Sequence, residues 1–101
     1  MANDWKVQMK LHIMVVDIRG NCPIYKVGDE FTIEHGFVLH SKIPLCMHSL
    51  SSLVPYYIPL SRGIQPKDLG LGGTEAYIQC LDPCEYTGGG TVVFKITKED
   101  E

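Results

Sequence analysis

Cys22-Pro23-Ile24-Tyr25-Lys26-Val27-Gly28-Asp29-Glu30-Phe31 joins the two segments whose hydrophobic alternation sets the fold. Upstream, from Lys6 to Val16, Val7, Met9, Leu11, Ile13 and Val15 take the odd positions and Lys6, Gln8, Lys10 and His12 the even ones, the period-two pattern of a half-buried strand. At Met14 and Val16 the even face turns apolar as well, so the far end of the strand is expected to be covered on both sides. Asp17 to Asn21 are expected to end it, with Gly20 in the turn. Within the joining stretch Gly28 can take positive φ and Asp29 can hydrogen-bond its own backbone, which feeds the chain into a strand carrying Phe31 and Ile33 in phase. His35-Gly36 reads as a tight connection to the apolar run Phe37 to Leu39, giving a small hairpin.

Beyond the hairpin the period changes. Pro44 suits a first helical turn, and Cys46, Leu50, Leu53, Tyr57 and Leu60 recur at spacings of three and four, which predicts a helix from about Pro44 to Arg62 stopped by Gly63. Pro55 and Pro59 fall inside it, so a kink, or two short helices meeting near Val54, is expected. Ile64 to Thr74, with Pro66, Gly70, Gly72 and Gly73, reads as a surface loop. Ala76, Ile78 and Cys80, and then Val92, Phe94 and Ile96, mark two further strands, joined through Asp82 to Tyr86 and the triple glycine Gly88 to Gly90. The acidic tail Glu99 to Glu101 is expected to fray. The order, without a repeated βαβ unit, predicts one α+β domain spanning residues 1–101, ordered from about 6 to 97. It should hold a mostly antiparallel sheet of four to five strands with one kinked helix packed on a face.

Composition narrows the function. The 45% hydrophobic content over 101 residues is enough for one buried core without obligatory staples. A net charge of -3 with no Lys/Arg cluster argues against nucleic acid as a partner. No stretch approaches the roughly 20 apolar residues of a membrane span, so no membrane partner is expected. The polar start Met1-Ala2-Asn3-Asp4-Trp5-Lys6 is unlike a signal peptide, which leads to the expectation of a cytoplasmic protein whose thiols stay reduced.

The chemistry then rests on four cysteines, Cys22, Cys46, Cys80 and Cys84, each near the end of a predicted element. Thiolates in threes and fours, sometimes with one histidine, hold zinc or iron–sulfur clusters. The spacing is not that of a zinc ribbon: Cys22 and Cys46 stand alone, and Cys80 and Cys84 form CxxxC. Cys46, placed in the first helical turn, would gain thiolate character from the helix dipole and free amides. Cys46 and Cys80 are also in phase with apolar neighbours, and spacing alone favours the reading that they are simply small core residues. His48, two residues past Cys46, would sit roughly 200° round a regular helix from it, which favours a locally hydrogen-bonded histidine. His12, His35 and His40 read as solvated. No phosphate loop, dinucleotide fingerprint, HExxH or nucleophile elbow is present.

Cys22-Pro23-x-Tyr25-Lys26-Val27-Gly28-Asp29-x-Phe31, Cys46-x-His48-x-Leu50, Pro55-Tyr56, Cys80-x-Asp82-Pro83 and Val92-Val93-Phe94 together resemble a family of small bacterial and archaeal proteins, over roughly Lys6 to Thr97. The resemblance implies no particular activity. It implies that Cys22, Cys46 and Cys80 are the positions that matter, with Cys84 outside the pattern. Ser51-Ser52 and the insert from Cys84 to Gly90 depart from that pattern.

Three functions follow as expectations. The first is a thiolate site of Cys22, Cys46 and Cys80, with Cys84 or His48 as fourth ligand, for zinc or an iron–sulfur cluster. The second is an enzyme or small-molecule binder using Cys46 as an activated thiolate. The third is an interaction module whose cysteines only pack, docking a partner protein or a second copy through a sheet edge at Phe37 to Leu39.

Overall fold

The computed structural model describes residues Met9–Asp100; Lys6, Val7 and Gln8 of the predicted first strand lie outside them. The chain is an α+β domain with one antiparallel five-stranded sheet of order β3-β2-β1-β5-β4. Its strands are β1 (Met9–Gly20), β2 (Glu30–Glu34), β3 (Val38–His40), β4 (Ala76–Gln79) and β5 (Gly90–Asp100). Helix α1 (Met47–Ser61) packs across β1, β5 and β4, and a single turn, α2 (Cys84–Thr87), lies between β4 and β5. Among the described residues no helix is long and apolar enough to cross a membrane.

The first strand runs four residues further than its alternation suggests. Val15 is opposite Phe94 and Asp17 is opposite Val93, so Val16 is an extra residue that forms a bulge in the ladder. A bulge shifts the side-chain phase by one: Leu11, Ile13 and Val15 are buried before it, whereas after it Ile18 packs on the core and Asp17 and Arg19 are exposed. The strand then continues to Gly20, opposite Gly90. Met14 and Val16, expected to be covered, stay half-buried. The face they share carries cross-strand pairs instead: Lys10–Glu34 at 3.9 Å, His40–Glu34 at 3.8 Å, and His12–Glu30.

The joining stretch is pinned to the bulge, since Val15 N–H donates to Asp29 O at 2.8 Å and Gly28 N–H to Val15 O at 2.9 Å. Gly28, at φ 98°, takes the left-handed conformation its sequence context called for. The hairpin forms as expected through His35 (φ 59°) and Gly36 (φ 83°).

Helix α1 is one continuous element, neither broken near Val54 nor begun at Pro44. Pro44 is exposed and lies ahead of the helix, and Cys46 is the N-cap with extended backbone (φ -87°, ψ 130°). Pro55 and Pro59 remove the bonds to the carbonyls four residues back, those of Ser51 and Pro55. Both of those residues are exposed, on a side where water can serve the orphaned oxygens. Leu53 and Leu60 are the helix's fully buried apolar contacts. They close a core of Leu11, Ile13, Phe31, Phe94 and Ile96, in which Phe94 meets Tyr25 and Phe31 edge-on at 5.5 and 6.2 Å.

Two stretches are more ordered than their composition suggests. The segment expected to be a loop contains a 3-10 turn, Pro66–Leu69, with Pro66 buried and its carbonyl accepting from Leu71 N–H at 2.9 Å. The acidic tail, expected to fray, is held by pairing of Glu99 with Lys10 and Asp100 with Met9, while Glu101 is outside the described residues.

Candidate thiol-lined site

At the end of the sheet where β1 and β4 finish, the Cys22 loop lies directly on the β4–β5 connection. Glycine permits this approach. A Cβ on Gly90 would fall 2.7 Å from both Asn21 C and Cys22 N, and one on Gly89 would collide with the Asp82 carboxylate. Asn21 N–H donates to Gly89 O at 3.1 Å across the same seam. The Asp82 carboxylate accepts from the Thr87 hydroxyl and its carbonyl from the Thr91 hydroxyl, while Thr87 Oγ1 accepts from Gly89 N–H at 3.1 Å. The Cys-x-Asp-Pro motif and the triple glycine thus form one folded connection, and Cys22 is seated against it.

Three of the sequence-selected cysteines, Cys22, Cys46 and Cys80, line this end of the sheet. Cys22 is half-buried and its Sγ accepts from Tyr25 N–H at 3.4 Å. Cys80 is 6% exposed; its thiol donates to Gly90 O and accepts from Val92 N–H, both at 3.4 Å. Cys46 is half-buried, and its own backbone is gripped from outside the helix: Cys46 N–H donates to Tyr25 Oη at 2.9 Å, and Ser49 Oγ donates to Cys46 O at 2.7 Å. Because the single Ser49 proton is committed to Cys46 O, the 2.7 Å contact between Tyr25 Oη and Ser49 Oγ must have tyrosine as donor, which closes a ring of three hydrogen bonds.

Cys22, Tyr25, Cys46, His48, Cys80 and Asp82 are among the walls of one cavity of about 330 Å³. Among the described residues no three His, Cys, Asp or Glu side chains are grouped so as to hold a metal ion, and all four cysteines are free thiols.

His48 shares this cavity despite the helical-wheel expectation. The angle of roughly 200° applies only when both residues are helical, and Cys46 is not: its backbone is extended, and both residues line the same cavity. Helix α1 has no side-chain N-cap and no acidic residue in its first turn, and the amides of Met47, His48 and Ser49 find no acceptor among the described residues. Those amides and the helix dipole favour negative charge at this end. Cys84 is placed elsewhere, in α2, lining a separate surface pocket with Arg19, Gln79 and Thr91.

The sequence reading missed Tyr25 and Ser49 as parts of the site. Tyr25 sits in a stretch without periodicity and Ser49 in a helix, where a buried serine has no pattern to announce it. The spacing Cys22-x-x-Tyr25 was the available signal. No family model, curated protein or solved structure was found to match the chain, so the family resemblance stands on its motifs alone and the site is interpreted from its own geometry.

Proposed function

We propose that the protein binds a soft, thiophilic species, an iron–sulfur cluster or a metal ion such as zinc, through Cys22, Cys46 and Cys80, with His48 as the candidate fourth ligand. The observation that carries this is convergence: three thiols separated by 24 and 34 residues (46 − 22 and 80 − 46) line one cavity. Soft thiolates select such species. A lone tetrahedral zinc needs sulfurs at about 2.3 Å from the metal. Cys80 must give up its proton, and with it the bond to Gly90 O, to take part.

The test is purification without oxygen, followed by zinc, iron and acid-labile sulfide analysis before and after reconstitution with ferrous iron and sulfide. Bound metal or cluster should be lost in Cys46→Ser and Cys80→Ser and kept in Cys84→Ser. Absence of stoichiometric zinc or iron from the wild-type protein in both states would overturn the proposal.

A second reading, a binder or enzyme using Cys46 as nucleophile, is supported by the N-cap position of Cys46 and by His48 on the same cavity wall. It predicts that in metal-free protein Cys46 is alkylated fastest of the four cysteines. Uniform rates would count against it.

A further inference from the structure

We infer that Tyr25 is the positioning residue of the thiol site, setting where Cys46 stands relative to Cys22; this rests on the cavity being a thiol site. An N-cap residue ordinarily turns its own side chain back to accept an amide of the first turn. Cys46 makes no such bond, so its side chain is not consumed in capping. Tyr25 instead grips the N-cap residue from outside the helix: its hydroxyl accepts Cys46 N–H at 2.9 Å and donates to Ser49, which in turn holds Cys46 O. The same residue's backbone N–H donates to Cys22 Sγ at 3.4 Å. One residue therefore touches both thiol-bearing segments.

The ring of Tyr25 is a suitable spacer. It is 3% exposed and rests edge-on against Phe94, which is fully buried, so the hydroxyl is delivered from the centre of the core rather than from a mobile loop. Ser49, at 1% exposed, is equally enclosed. Removal of the hydroxyl leaves Cys46 N–H without its acceptor while the ring packing is retained. The start of α1 is then released, and the thiol of Cys46 leaves its fixed place at the cavity.

The experiment uses full-length, reduced, metal-free protein, alkylated with iodoacetamide and mapped by mass spectrometry, with Cys84 as internal reference because it lies on another pocket. Tyr25→Phe should raise the ratio of Cys46 to Cys84 alkylation rates by about fivefold, the effect of one lost buried hydrogen bond. Ser49→Ala should move the ratio the same way, and Ser49→Thr, which keeps a hydroxyl, should restore it. A Tyr25→Phe ratio unchanged from wild type overturns the inference. Should Tyr25→Phe fail to fold, as judged by circular dichroism, the serine pair decides: equal ratios in Ser49→Ala and Ser49→Thr overturn it. Because no metal is present, this outcome is independent of whether metal analysis supports the thiolate site.

Discussion

Replacing Gly90 with alanine tests the seam that seats Cys22. The new Cβ would lie 2.7 Å from Asn21 C and Cys22 N and 2.9 Å from Asn21 O, all backbone atoms that cannot swing aside as a side-chain tip would. Carbon contacts relax at about 3.5–4.0 Å, so the Cys22 loop must retreat by roughly 1 Å. Forcing a methyl into packed structure costs about 1–3 kcal/mol. The retreat also breaks the 3.1 Å bond from Asn21 N–H to Gly89 O, which adds about 0.5–1.5 kcal/mol. The expected destabilisation is about 1.5–4.5 kcal/mol, which in a domain of this size lowers Tm by roughly 6–36 °C. Urea unfolding with linear extrapolation measures it. Gly73 supplies the control: its Cβ would meet nothing within 4 Å and its φ is not in the left-handed region, so Gly73→Ala should stay within about 0.5 kcal/mol of wild type. If the two variants unfold at the same urea concentration, the argument from close approach is wrong.

Two further expectations concern the scaffold. Pro55→Ala returns a donor to the Ser51 carbonyl within a helix that is already continuous, and should stabilise the domain by about 1 kcal/mol or more, seen as a higher Tm; a lower Tm would mean that Pro55 contributes through its fixed φ in the unfolded chain. Phe94→Ala removes the fully buried ring that Tyr25 and Phe31 meet edge-on and should cost about 3–5 kcal/mol by chemical denaturation, a large fraction of the 5–15 kcal/mol total typical of a domain.

What could be foreseen from the sequence follows the physical range of each signal. Alternation is a local signal, and the strands bearing Leu11, Phe31, Ile78 and Phe94 were legible because a buried face repeats every second residue. The bulge at Val16 was not, because one inserted residue looks in sequence like the end of the pattern; only the ladder opposite, Phe94 next to Val93 against Val15 and Asp17, reveals it. The helix start was misplaced for a related reason: Pro44 is a good first-turn residue, but the N-cap is Cys46, whose N–H is held by Tyr25, twenty-one residues upstream and out of reach of a local pattern. That Cys22, Cys46 and Cys80 line one cavity was anticipated from their positions at element ends, though among the described residues no three such side chains are grouped to hold a metal ion. The scale of the cavity was not, because cavity volume depends on how closely two loops approach, and that is fixed by the missing side chains of Gly89 and Gly90 rather than by any residue that announces chemistry. Cys84 shows the converse. It shares the CxxxC spacing with Cys80, yet α2 and the Asp82–Thr91 contact turn it to another surface, so proximity in sequence was the weaker guide to membership of the site.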